Sequence, residues 1–194
     1  MKIINDISLN LPHHATKIFE KRDLNKIDTI IIHQTDSDDL GDYSPYDIAR
    51  YHVQNNGWAG IGYHYYIIDS GKIFQTQPLY NISYHTSGYN SNSVGVVISG
   101  KHRYDSDKSN AEIIGKKKYK ALIYALAKLQ NQLPTSTEII SHGSVSTHKT
   151  DPNLNMDELR VDVKKKRTIL FIQKVFIGIL LIGLLIYAGK KWMS

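Results

Sequence analysis

Residues 27–33 read IDTIIIH and residues 93–99 read SVGVVIS. Both are short apolar runs rich in β-branched side chains, of the length and make-up of a buried strand. Outward from them, residues 64–70 and 72–75 flank Asp69-Ser70-Gly71 and read as a hairpin. Ser44-Pro45 ahead of residues 47–56 supplies a helix cap followed by a proline in the first turn. In residues 112–133, Tyr119, Leu122, Ile123, Leu126 and Leu129 recur at helical spacing on one face, while Lys116, Lys117, Lys118 and Lys120 lie largely elsewhere. A short strand at 138–141 comes last. Strands and helices in this order predict an α/β fold, a central mixed β-sheet flanked by helices. No internal repeat is present.

The chain has 194 residues, 41% hydrophobic and 22% charged, and no cysteine. That is an ordinary globular composition. It excludes a disulfide scaffold and leaves His, Asp and Glu as the strong metal ligands. The formal net charge is +6, but residues 160–194 hold eight Lys/Arg against Asp162 alone. The body, residues 1–159, is therefore close to neutral. A body without phosphate-neutralising charge argues against nucleic acid as a partner, and basic residues beside an apolar run point to a membrane.

That run is VFIGILLIGLLIYAG at 175–189, preceded by residues 168–174. Taken as a helix, residues 169–189 would be roughly 31 Å long at about 1.5 Å per residue, the thickness of a hydrocarbon core. Lys174 lies near one end, from where its stem could reach the headgroups. Asn155 with Asp157 and Glu158 reads as a helix start, so one helix is expected to run through Lys164–Arg167 into the apolar stretch. The expected division is a domain at 1–154, a basic connecting helix at 155–167, a transmembrane helix at 168–190 and a tail at 191–194. No segment near the start resembles a signal peptide. Five basic residues before the helix against Lys190 and Lys191 after it predict a single-pass C-terminal anchor. The body would stand on the cytoplasmic side, or inside a particle derived from that membrane, such as a phage virion.

Reactive side chains gather at strand ends. His33 closes the first strand, His142 follows the last, and Asp151 lies nine residues further on. Two imidazoles and a carboxylate suit a three-ligand zinc site with a fourth position open for water. Spacing alone leaves the bland reading open, since nine histidines make chance pairs easy. His13, His14, His52, His64 and His102 read as ordinary loop, helix or strand residues, and Tyr80, Tyr84 and Tyr89 as packed aromatics.

The order of five segments resembles the zinc-dependent N-acetylmuramoyl-L-alanine amidases of the type 2 family, which includes small phage lysozyme-amidases and peptidoglycan recognition proteins. The segments are IIIHQT around His33, GWAGIGYHYYI around Tyr63, the Asp-Ser-Gly turn with KIFQ, YHTSGYNSNSVGVVISG around His85, and SHGSVSTHKTDPN, together spanning residues 27–153. The resemblance implies Zn2+ held by His33, His142 and Asp151, the last standing where some members have Cys. It implies Tyr63 and Lys149 as catalytic residues, and His85 and Asn90 as residues lining the substrate groove. His148 departs from the family pattern. The expected function is a membrane-anchored peptidoglycan hydrolase that cuts between N-acetylmuramic acid and L-alanine of the stem peptide, in phage-related lysis or wall penetration. Its expected partners are peptidoglycan and a lipid bilayer contacted through residues 169–189. The rivals are a non-catalytic peptidoglycan-binding module and a cytosolic muropeptide-recycling amidase. A filled ligand set favours catalysis over binding alone.

Overall fold

The computed structural model describes residues 3–37, 43–133 and 137–192, with side chains described as far as 182. The strands are β1 (Ile4–Asp6), β2 (Thr29–Gln34), β3 (Tyr65–Ile67), β4 (Ile73–Gln75), β5 (Ser93–Ile98) and β6 (Glu138–Ser141). The helices are α1 (Pro45–Gln54), α2 (Asn110–Ile113), α3 (Lys116–Gln132) and α4 (Met156–Trp192). Six strands form one sheet in the order β1-β4-β3-β5-β2-β6. All neighbouring pairs are parallel except the β3–β4 hairpin. The mixed sheet flanked by helices agrees with the reading of the sequence.

Alternation along the central strands separates two faces. Ile30, Ile32, Val94, Val96 and Ile98 point to one side, where they pack with Leu122, Leu126 and Leu129 of α3 and with Leu159 and Val163 of α4. Val97 and Tyr66 point to the other, against Ala49 of α1, Leu11 and Ile61. His33 is one residue out of step with Ile32 and shares this second face. The large core thus anchors the sheet from behind, and the thinner second face carries the polar groups.

Local chemistry sets the helix ends. Ser44 and Asp47 form a reciprocal capping box at the start of α1, with Pro45 in the first turn. Asn155 Oδ1 accepts from the amides of Asp157 and Glu158 and starts α4. The single helix expected at 112–133 is split, because Gly115 adopts φ 84°, a left-handed conformation that ends α2 and starts α3 anew.

The transmembrane helix is corrected. Among the described residues no helix is long and apolar enough to cross a membrane. α4 is long, but Lys164, Lys165, Lys166 and Arg167 lie within its first half, and Gln173 and Lys174, at its middle, interrupt the apolar residues that follow. Beyond Lys174 the described side chains extend only over residues 175–182. The sequence reading joined 169–172 to 175–189 across that polar pair. The single-pass membrane localisation, with its cytoplasmic or particle-interior body, and the lipid-bilayer contact through 169–189 rested on that helix and fall with it.

Candidate active site

Strand register builds the centre of the site. In the parallel β2–β6 pair Ile32 stands opposite Ser141, so the next residue of each chain, His33 and His142, meets its neighbour at the carboxyl end of the sheet. That end is where open α/β sheets place ligands. The chain then loops out and returns. Gly143 N donates to the Asp151 carbonyl at 3.0 Å. A Cβ on Gly143 would lie 2.9 Å from Thr150 Cα, so glycine permits this close return. Asp151 Oδ1 sits 3.1 Å from His142 Nδ1, and Asp151 Oδ2 sits 3.6 Å from His33 Nδ1. The two Nδ1 atoms are 3.1 Å apart. Gln34 N, at the end of β2, donates to Asp151 Oδ2 at 3.2 Å and fixes the carboxylate. One ligand-type atom from each of His33, His142 and Asp151 lies within 4.8 Å of the others, a group that could hold a metal ion.

Burial and charge tune these groups. Burial pulls the His33 pKa down to about 4, against the raising effect of Asp151. Burial works to raise the Asp151 carboxyl, but the His142 and His33 rings beside it outweigh that effect and leave its pKa below the ordinary value. At neutral pH the site therefore offers a bare imidazole and an ionised carboxylate, both in the state that binds a cation.

Around this centre lies a cleft of about 510 Å³. Tyr63 contacts it from the loop before β3. Its ring centroid is 5.2 Å from that of His33 and 5.7 Å from that of His52. Burial raises the Tyr63 pKa, with the Asp151 charge adding to the effect, so its hydroxyl stays protonated. Lys149 and His148 are both exposed on the cleft wall. His148 is not part of the ligand-type group. A second groove of about 610 Å³ adjoins the first and is lined by Trp58, Tyr84, His85, Asn90 and the 145–149 loop.

His85 and Asn90 both reach that groove, but their hydrogen bonds run inward. Asn90 Oδ1 accepts from the amides of His85 and Thr86 at 3.0 and 2.8 Å, closing the turn between them. His85 is only 8% exposed and lies under His33, with its Nδ1 3.1 Å from His33 Nε2 and its Nε2 3.2 Å from Ser93 Oγ. Burial, then the neighbouring His33 and His64, hold its pKa well below the ordinary histidine value. Gly95 makes the space: a Cβ there would stand 2.6 Å from His85 Cγ.

Two supporting residues were not singled out from the sequence. Arg22 is buried and donates to the carbonyls of Leu79, Asn90 and Ser93, tying the loop that carries His85 to the sheet. Lys118, expected to lie off the apolar face of its helix, is 2% exposed. Its Nζ pairs with Asp69 and donates to Ser99 O at 2.6 Å, and it lies 3.3 Å from His102 Nε2. It thereby braces residues 99–103, whose Lys101, His102 and Arg103 wall the cleft. A lone Arg in a loop or a Lys in a lysine run carries no sequence signal of burial.

A family model described as N-acetylmuramoyl-L-alanine amidase matches residues 23–154. Over 55 residues the chain is 34% identical to the human protein named N-acetylmuramoyl-L-alanine amidase, a stretch covering 28% of this chain and 10% of that one. The match to the Drosophila melanogaster peptidoglycan-recognition protein SC1a is 27% identical over 63 residues, or 32% of this chain and 34% of the relative. The chain thus matches about a third of the length of these curated relatives at most. Among solved structures, a Clostridium intestinale endolysin N-acetylmuramoyl-L-alanine amidase superposes with a TM-score of 0.67 at 20% identity, covering 84% of this chain and 97% of that one.

Proposed function

Because the chain belongs to the N-acetylmuramoyl-L-alanine amidase family, we propose that it hydrolyses the amide joining N-acetylmuramic acid to L-alanine of the peptidoglycan stem peptide, using one zinc ion held by His33, His142 and Asp151. The observation that carries this reading is the convergence of those three side chains. On a zinc tetrahedron with bonds of about 2.0–2.1 Å, ligand atoms stand about 3.3 Å apart. The 3.1 Å between His33 Nδ1 and His142 Nδ1 and the 3.1 Å from His142 Nδ1 to Asp151 Oδ1 are close to that edge, and the second carboxylate oxygen stands 3.6 Å from His33 Nδ1. Two nitrogen donors and a carboxylate are also the ligand types that zinc accepts in hydrolytic sites.

Bound there, zinc supplies Lewis-acid polarisation of the scissile carbonyl and makes a water more acidic. The chain's own residues do the rest. Asp151, held by Gln34 N, keeps its carboxylate oriented and ionised. Tyr63, protonated throughout the neutral range, donates a hydrogen bond from its hydroxyl to the tetrahedral centre as it forms. Lys149 brings a mobile ammonium from the exposed loop to the oxygen on which negative charge develops, where it is worth more than in the ground state. The groove between Trp58, Tyr84 and the 145–149 loop receives the glycan and peptide flanking the scissile bond. Family membership, together with the endolysin name of the superposed amidase, favours a wall-lytic role.

The test is digestion of purified peptidoglycan by the full chain. The expected products are stem peptides with a free L-alanine amino group, and new reducing sugar ends would refute the reading. Binding to peptidoglycan with no product released would instead mark a recognition module.

A further inference from the structure

The hydrogen atoms beneath His33 can be assigned one bond at a time, and the assignment reaches the metal-binding face. Ser93 Oγ lies 2.6 Å from the Tyr89 carbonyl. A carbonyl has no hydrogen to give, so the Ser93 hydroxyl donates. With its only hydrogen committed, Ser93 Oγ can only accept across the 3.2 Å contact with His85 Nε2. Nε2 of His85 therefore carries the hydrogen. In the neutral ring Nδ1 is then bare, with His33 Nε2 and the Thr86 hydroxyl each 3.1 Å away. The Thr86 oxygen lies 3.5 Å from His33 Nε2. A hydrogen on His33 Nε2 thus meets acceptors on both sides, while a bare Nε2 would set two lone pairs face to face. His33 must then carry its hydrogen on Nε2. Its Nδ1 is left with a free lone pair, facing His142 Nδ1 and Asp151.

We propose that Tyr89, Ser93 and His85 form a tautomer lock that holds His33 with Nδ1 bare and aimed at the metal position before any metal arrives. This rests on reading His33 as a metal ligand. Ser93 and His85 are positioning residues that act through His33. In the other tautomer of His33 a hydrogen would occupy the coordinating position and the ring would have to reprotonate before binding. A second imidazole is an unusual partner for a ligating histidine, and it works here only because its own far nitrogen is pinned. The pinning is rigid: Ser93 is fully buried at the start of β5, and Gly95 leaves the His85 ring no slack. Arg22, donating to the Ser93 and Asn90 carbonyls, holds both ends of the loop in register.

The lock predicts a spectroscopic state and an affinity. In nitrogen-15 spectra of the histidine rings of the metal-free full chain, His33 and His85 should each be protonated at Nε2 alone. Ser93→Ala frees His85 to turn over its hydrogen, so His33 should show a mixture of tautomers. Its zinc affinity, read by competition with a chromophoric chelator, should fall by about 10- to 100-fold. His85→Leu should behave likewise. Ser93→Thr retains the hydroxyl, and His85→Asn places a carbonyl oxygen where Nδ1 was, so both should stay near wild type. Hydrogen found on Nδ1 of His33 in the wild-type chain overturns the proposal. So does a folded Ser93→Ala variant with unchanged tautomer and zinc affinity. A wild-type chain that binds no zinc would defeat the metal-site reading instead, and the wild-type spectrum alone would then decide whether the hydrogen-bond chain exists.

Discussion

Replacing Gly95 by alanine probes the packing under the site. The new Cβ would stand 2.6 Å from His85 Cγ and 2.9 Å from both Cδ2 and Nδ1, against about 3.4 Å for ordinary contact. The ring must retreat by about 0.8 Å, or the β5 backbone must move. Neither is cheap, because the ring is bonded to Ser93 on one side and His33 on the other at 3.2 and 3.1 Å. Overpacking of this kind costs about 1–3 kcal/mol. A shift of 0.8 Å would also stretch at least one of those bonds beyond useful length. Urea denaturation of Gly95→Ala should therefore show a midpoint lowered by a loss of about 1–3 kcal/mol, and zinc affinity should drop by about tenfold or more. Gly178→Ala is the control, since a Cβ there meets nothing within 4 Å and alanine is the better helix former. Its stability should be unchanged or raised. Wild-type stability together with wild-type zinc affinity in Gly95→Ala would refute the packing argument.

Other outcomes follow from the same geometry. Tyr63→Phe and Lys149→Ala should each slow amide cleavage by at least about tenfold through kcat with zinc retained, measured by release of L-alanine amino groups; a change confined to KM would assign them to ground-state binding. Lys118→Ala removes the buried ammonium that joins the Ser99 carbonyl to Asp69 and should cost about 2 kcal/mol in urea denaturation, with faster amide exchange over residues 99–103. Burial holds the pKa of His52 at about 4 and of His64 at about 3, below the ordinary 6.5. The unfolded chain therefore binds protons that the folded one refuses. Their contribution is complete above pH 6.5 and is lost as pH falls towards 4, by up to about 3 kcal/mol for His52. His52→Asn, which keeps an acceptor for Gly62 N, should flatten that acid loss in the urea midpoint; an unchanged pH slope would contradict the assignment.

How much of this was legible in the sequence depends on range. The β-branched runs gave β2 and β5, and the Asp69-Ser70-Gly71 turn gave the β3–β4 hairpin, because period and turn chemistry are local signals. Ser44-Pro45 and Asn155 marked their helix starts for the same reason. β1 carries only Ile-Asn-Asp and exists by pairing with β4, so nothing local announces it. The break at Gly115 was hidden inside an otherwise helical pattern. His33, His142 and Asp151 were found by family order, and the register of β2 against β6 brings them together. His85 was read as a groove residue, but its bond to His33 joins residues 52 apart and has no trace in spacing. Lys118 and Arg22 were invisible because their burial is decided by distant carbonyls. The transmembrane reading placed Lys174 near one end of the span, within reach of the headgroups; in α4 it stands with Gln173 between the apolar residues on either side.

The central claim is zinc-dependent cleavage at the muramoyl–alanine amide. Mass spectrometry of peptidoglycan digested by the full chain, beside a His33→Ala digest and a chelator-treated wild-type digest, tests it most directly. Free stem peptides beginning with L-alanine are expected in the untreated wild-type digest alone, restored after chelation by added zinc. Stem peptides released equally by His33→Ala, or products carrying new reducing sugar ends, would contradict it.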